Sequence, residues 1–229
     1  MPSVISLYDA SGIMVEPFIK ANWNCYIFDL QHTPEAVQET IHGYSVTKIG
    51  GDYTTWKAIV QWLSLSEDIK CVFGFPPCTD LATSGSAHFA TKAKANPDFQ
   101  TDAMKLFHAV HEIADSIGVP YLIEQPVSVA STLYRKTTFY FHPWEYSGYL
   151  PEDHQSLYPI IPNRSAYPKK TSIWSTLPIP EKRPVPIAKG YSPQHRLLGG
   201  KRPWTKFIRS LTAESFAVAQ FTAIIKEGV

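Results

Sequence analysis

Apolar residues fall in short runs, each closed by an acidic or turn-forming residue. Val4 to Tyr8 is largely apolar and stops at Asp9. Such a run reads as a parallel strand buried on both faces. Asp9-Ala10-Ser11-Gly12 is a turn, and Ile13 to Asn22 then carries Val15, Phe18, Ile19 and Ala21 at helical spacing. Pro17 is compatible with that helix only in its first turn. Cys25 to Phe28 is a second strand pattern, closed by Asp29, and Ser45 to Ile49 a third, followed by Gly50-Gly51-Asp52. Trp56 to Leu65 predicts a helix with Trp56, Ile59, Val60 and Leu63 on one face. Lys70 to Phe75 predicts a strand running into Pro76-Pro77-Cys78. The clearest helix is Asp98 to Ile117, whose apolar stripe ends at Gly118, a residue suited to a left-handed cap. Val119 to Ile123 predicts another strand, ending at Glu124.

Strand and helix patterns alternate along this stretch, so the expected class is α/β: a Rossmann-like, mostly parallel sheet with helices on both faces. The polar residues close the strands at their carboxyl ends, the edge where such sheets bind ligands. From Tyr140 to Arg202 the pattern breaks up among prolines and aromatics, with a short strand expected at Thr171 to Trp174. The final helix is expected at Ala213 to Lys226. These readings divide the chain into a core over 1–139, an irregular basic segment over 140–204, and a C-terminal part over 205–229 packing back on the core.

Composition narrows the picture. The 229 residues are 44% hydrophobic and 18% charged, enough for a substantial core. The net charge of +1 excludes a protein that wraps nucleic acid by charge alone, though not one with a local basic groove. The three cysteines, Cys25, Cys71 and Cys78, form no Cys-x-x-Cys pair. An odd count without a secretory pattern at the start leads us to expect a reducing, cytoplasmic setting. No apolar stretch is long enough for a membrane span. His108 and His111 stand three apart on the long helix, but no third ligand has a recognisable position, so no metal is expected.

Several polar residues carry candidate chemistry. The Asp9-x-Ser11-Gly12 turn between strand and helix suits a nucleotide-type cofactor: Gly12 permits close backbone approach and the amides at the helix start can receive a carboxylate. The bland alternative is a tight turn and nothing more. Asp29 can accept from ribose hydroxyls, or cap a helix; Asp52 can accept from an adenine amino group, or serve as a turn residue. Pro76 and Pro77 fix φ and lack amide hydrogens, so they end their strand and hold Cys78 rigidly. A thiol so placed suits a nucleophile; the alternative is a small buried hydrophobe, the fate expected of Cys25 and Cys71. Glu124 can hydrogen-bond a ring nitrogen or an exocyclic amine. Ser84 and His88, just past Cys78, are candidate substrate contacts.

The order Asp9-Ala10-Ser11-Gly12, Asp29, Gly51-Asp52-Tyr53, Pro76-Pro77-Cys78 and Glu124-Gln125-Pro126 resembles the DNA cytosine-5 methyltransferase family. It is most similar to short, phage-type members without a large target-recognition domain. The resemblance spans residues 4 to 126 motif by motif. It implies S-adenosylmethionine (AdoMet) as cofactor, bound by Asp9, Ser11, Gly12, Asp29, Asp52 and Pro76. It implies that Cys78 attacks C6 of cytosine, Glu124 holds N3 and the amino group, and C5 takes the methyl group. A base within a duplex would first be flipped out, and the implied setting is a bacterial or phage-infected cell.

The sequence departs from that family in places. Ile13-Met14 stand where glycine is usual, and Gln125-Pro126 where Asn-Val is usual. The family's Gln-x-Arg-x-Arg strand has no clear copy; Tyr167-Pro168-Lys169-Lys170-Thr171 is nearest, making Lys169 and Lys170 candidate substrate contacts. Between Pro143 and Arg202 lie Arg164, Lys169, Lys170, Lys182, Arg183, Lys189, Arg196, Lys201 and Arg202, either a modest DNA-facing surface or a solvated connector. Three expectations follow: methylation of cytosine in DNA, the same chemistry on a free pyrimidine nucleotide such as dCMP or dCTP, or binding without catalysis.

Overall fold

The computed structural model describes residues 1–41, 44–187, 190, 192–199 and 202–229; Lys189 and Lys201 of the basic segment lie outside them. The apolar runs become the strands of one eight-stranded sheet, and contacts divide the chain into two units.

The first unit comprises Met1–Tyr140 and Thr171–Leu177. Its elements are β1 (Pro2–Leu7), α1 (Glu16–Lys20), β2 (Asn24–Phe28), β3 (Val37–Ile41), β4 (Tyr44–Ile49), α2 (Tyr53–Leu63) and β5 (Asp68–Gly74). They continue with a 3-10 segment (Thr83–His88), α3 (Phe89–Ala95), α4 (Phe99–Ile117), β6 (Tyr121–Pro126) and α5 (Ala130–Leu133). β7 (Phe139–Phe141) crosses into the second unit, and β8 (Thr171–Ser175) returns to the first. The sheet order is β3-β4-β2-β1-β5-β6-β8-β7. Its five central strands, β4-β2-β1-β5-β6, are parallel, while β3 and β8 run antiparallel to their neighbours β4 and β6. The class is thus α/β with a mixed, mostly parallel sheet, consistent with a Rossmann-like arrangement.

The two-residue side-chain period of a strand sends helices to both faces. Ile5, Leu7, Val72 and Ile123 join Trp56 and Val60 of α2 and Phe107 and Val110 of α4 in one apolar cluster. Phe73 points the other way and meets Phe18 of α1, ring centroids 5.5 Å apart. Gly74 lets α4 lie directly on β5, because a Cβ there would overlap Val110. As expected, Pro17 stands in the first turn of α1 and Gly118 caps α4 at φ 70°. No helix among the described residues is long and apolar enough to cross a membrane.

Three expectations shift. β3 pairs with β4 although its polar sequence VQETI gives no buried-strand signal. β6 begins two residues later than predicted and runs to Pro126, so Glu124 lies within the strand. The C-terminal helix, α8 (Glu214–Glu227), groups with the second unit, Phe141–Lys170 and Pro178–Val229. There Phe216 is fully buried, stacks on Phe141 at 4.1 Å and meets Tyr146 at 5.4 Å. Ser215 Oγ donates to the Pro143 carbonyl, and His154 and Ser156 bind the Glu214 carboxylate. This unit also holds α6 (Pro193–Leu197) and α7 (Pro203–Ser210).

Candidate active site

Counted in chain order, the central parallel strands stand 3-2-1-4-5 across the sheet. The order reverses between β1 and β5, and such a switch point opens a crevice at the carboxyl ends of the strands. Register places the candidate residues along that edge. Ile49, Phe28, Leu7, Gly74 and Ile123 form one row across β4, β2, β1, β5 and β6. The next residue on each strand path is Gly50, Asp29, Tyr8, Phe75 and Glu124. Asp29 and Glu124 therefore share a row, three strand spacings or roughly 14 Å apart.

On one side of the switch lies the turn after β1. Asp9 is buried, and its Oδ1 accepts from the Ser11 amide, the Ser11 hydroxyl and the Gly12 amide, while Oδ2 accepts from Ser6 Oγ. Gly12 sits at φ 72°, a region natural to glycine. The amides of Ser11 and Gly12 are thus committed to Asp9, while α1 itself begins only at Glu16. Tyr8 takes φ 57°, sparsely populated for a bulky residue and a place where strain collects at functional sites. Its ring packs edge-on against Trp56 at 4.9 Å, and its buried hydroxyl has no partner among the described residues. Burial, with Tyr53 and Asp52 adding, pushes the Tyr8 phenol well above its usual range.

Two carboxylates stand beyond the carboxyl ends of β2 and β4. Asp29 Oδ1 accepts from the Gln31 amide and side chain. Asp52 caps α2, its Oδ1 accepting from the amides and hydroxyls of Thr54 and Thr55, which holds its carboxyl below the usual range. The bland reading of Asp52 is therefore true in part. In both residues Oδ2 makes no hydrogen bond among the described residues. His32, unmarked by any sequence signal, reaches the Asp9 carbonyl with Nε2 at 3.2 Å. Gly50 is obligatory beside it, since a Cβ there would overlap the His32 and Thr33 carbonyls.

On the other side of the switch are Cys78 and Glu124. Cys78 is half-buried and opens a turn, its carbonyl accepting from the amides of Leu81 and Ala82. Cys25 and Cys71 are buried, and burial pushes both thiols far above their usual range. Glu124 is 8% exposed. The loops after β5 and β6 are stapled together. Gln125 Nε2 donates to the Pro76 carbonyl, the Thr83 amide to Val127, and the Val129 amide to Leu81, with an antiparallel bridge between Ala82 and Ser128. Lys92 of α3 adds a brace, donating to the Thr79 carbonyl and pairing with Asp80 at 2.6 Å. Cys78 and Glu124 thus belong to one cross-linked corner. Gln125 Oε1 and Ser128 Oγ are buried there without partners among the described residues.

Ser84 and His88 lie exposed on the 3-10 segment beyond Cys78. Lys169 and Lys170 belong to the second unit, where Lys169 donates to the Leu211 carbonyl and Lys170 is exposed. His108 and His111 form a partly buried pair, Nδ1 to Nε2 at 2.9 Å, with His111 stacked on Tyr134. No metal-binding group of three His, Cys, Asp or Glu occurs among the described residues.

Gln125, Lys92 and His32 are the residues that sequence reasoning missed. Gln125 adjoined a marked residue, whereas the other two act only through long-range contacts. The sequence matches no protein-family model and no curated protein.

Proposed function

We propose that the chain is an AdoMet-dependent methyltransferase of Rossmann-like fold that methylates C5 of cytosine in DNA. The observation that carries this reading is the cross-linked corner beside the switch point, with a half-buried thiol on the loop after β5 and a buried carboxyl in the carboxyl-terminal half of the adjacent β6. Asp29 and Asp52 support it from the other side. Each has one carboxylate oxygen committed locally and one open, an acceptor pair suited to the ribose hydroxyls and amino group of an adenosine. Asp9 serves by shaping the turn between the two halves.

When bound, AdoMet supplies an electrophilic methyl group. The protein's task is to make C5 of cytosine nucleophilic. The Cys78 thiolate adds to C6, and the displaced electron pair moves toward C5. Glu124 binds N3 and the exocyclic amine, steadying the charge that builds on the ring. C5 takes the methyl group with that electron pair. Removal of the C5 proton then returns a pair to the C5–C6 bond as the Cys78 sulfur leaves. The Gln125–Pro76 contact keeps the prolines, and with them the thiol, in place.

Two experiments test the reading. Labelled methyl transfer to DNA, set against dCMP and dCTP, separates DNA from free nucleotide as substrate. An oligonucleotide containing 5-fluorocytosine blocks proton removal, so it should trap a covalent complex with the wild type and none with Cys78→Ala. AdoMet binding without transfer to any substrate would leave a binding protein.

A further inference from the structure

Charge is unevenly distributed along the chain. Between Lys182 and Ala213 stand eight Lys and Arg and no Asp or Glu, although the whole chain has a net charge of only +1. The rest of the chain is acidic on balance. Most of this basic stretch lies outside the motifs at the sheet edge, and its last third contains α7.

Helix α7 sorts its residues into three stripes. Thr205 and Ile208, three apart, are buried and anchor it. Arg202 at the N-cap, Lys206 and Arg209 follow at spacings of four and three, and all are exposed. Trp204 and Phe207 form the third stripe, their rings stacked at 5.8 Å with 29° between planes. Tyr158 closes on both edge-on, at 6.0 Å from Trp204 and 5.7 Å from Phe207. Despite these contacts Trp204 is 54% exposed. A tryptophan held by two aromatic rings yet open to solvent forms a preset stacking surface with little rotamer freedom left to lose.

We infer that Tyr158, Trp204 and Phe207, with Arg202 and Lys206, form a docking surface for single-stranded nucleic acid. Every base has a π-face that can stack on Trp204, and a strand that crosses the exposed ridge of α7 from that ring meets Lys206 and Arg202 on the helix's other flank, where they can hold the phosphates that follow each base. A duplex keeps its bases stacked on one another and offers this surface only phosphates. An anionic membrane is a poorer match: α7 has eight residues, and its Thr205 and Ile208 are already buried. An acidic protein would satisfy the charges but would not need the open indole. The inference goes beyond the chemistry proposed at Cys78, since nucleic acid can bind here whether or not a methyl group is transferred.

The test is binding of the full-length chain to fluorescently labelled oligo-dT, followed by anisotropy and by Trp fluorescence. Blunt duplex, dCMP and phosphatidylserine vesicles serve as comparisons. The single strand should bind more tightly than duplex or dCMP and quench Trp fluorescence. Trp204→Ala should weaken binding roughly 5- to 150-fold, the range for loss of one stacked base, and Trp204→Tyr should restore most of it. Lys206→Ala should weaken binding to all sequences alike and flatten the salt dependence. Circular dichroism guards against a folding defect. Cys78→Ala should bind as the wild type does, separating this surface from the chemistry. No binding at low salt, affinity unaffected by Trp204→Ala in a folded protein, or preference for duplex or vesicles would overturn the inference.

Discussion

Cys78 differs from the other two cysteines in surroundings rather than in kind. Cys25 and Cys71 sit inside strands, where burial strongly disfavours their thiolates. Cys78 lies half-buried on a loop stiffened by two prolines. Ellman's reagent should therefore titrate one thiol in the native protein and three in denaturant, and Cys78→Ala should remove the native signal. Two natively reactive thiols would contradict the burial pattern. Gln125 acts at one remove, through its grip on the Pro76 carbonyl. Gln125→Ala should lower the methyl-transfer rate on the order of 100-fold, as small misplacements of a reacting group do, with AdoMet affinity nearly unchanged. A loss confined to AdoMet binding would reassign Gln125. Asp9→Ala strips an acceptor from Ser6, Ser11 and Gly12 and should cost about 1–3 kcal/mol in chemical denaturation. Asp9→Asn should be milder, because its amide oxygen can still serve the turn.

Gly74 shows how an element constrains the site. Any side chain there meets Val110 of α4, so Gly74→Ala should destabilise the fold by about 1–3 kcal/mol through overpacking. Val110→Ala in the same protein should recover part of the loss. The central strands and α4 were legible because burial on both faces leaves unbroken apolar runs, and because nineteen residues repeat one period. β3 was not, since an edge strand of the sequence VQETI satisfies its backbone through β4 and buries no continuous apolar run. Pro120 follows the Gly118 cap, which delayed the start of β6. At the site, the positions of Asp9, Asp29 and Cys78 beyond their strands were readable because strand ends in a parallel sheet gather at one edge, whereas Glu124 lies inside β6. The commitment of the Ser11 and Gly12 amides to Asp9 was not, because which acceptor an amide chooses is settled by geometry a few ångströms wide.

For the whole molecule, pH offers an independent check. Burial pushes the thiols of Cys25 and Cys71 and the phenols of Tyr8 and Tyr146 well up, and raises Tyr26 and Tyr121 to about 12. The unfolded chain releases these protons first, from about pH 8.5 for Cys and about 10 for Tyr. Stability from these groups is thus complete below that range and is lost as pH rises toward their folded values. The melting temperature should fall steadily above about pH 9; a flat alkaline limb would contradict the burial assigned to these groups. Whether the stapled corner transfers a methyl group to C5 can be read from its product. Wild-type protein is incubated with methyl-labelled AdoMet and single- and double-stranded DNA, and the digested nucleosides are analysed by mass spectrometry. Labelled 5-methyldeoxycytidine should form with the wild type and not with Cys78→Ala. Undiminished label with Cys78→Ala, or label on a cytosine atom other than C5, would contradict the proposed chemistry.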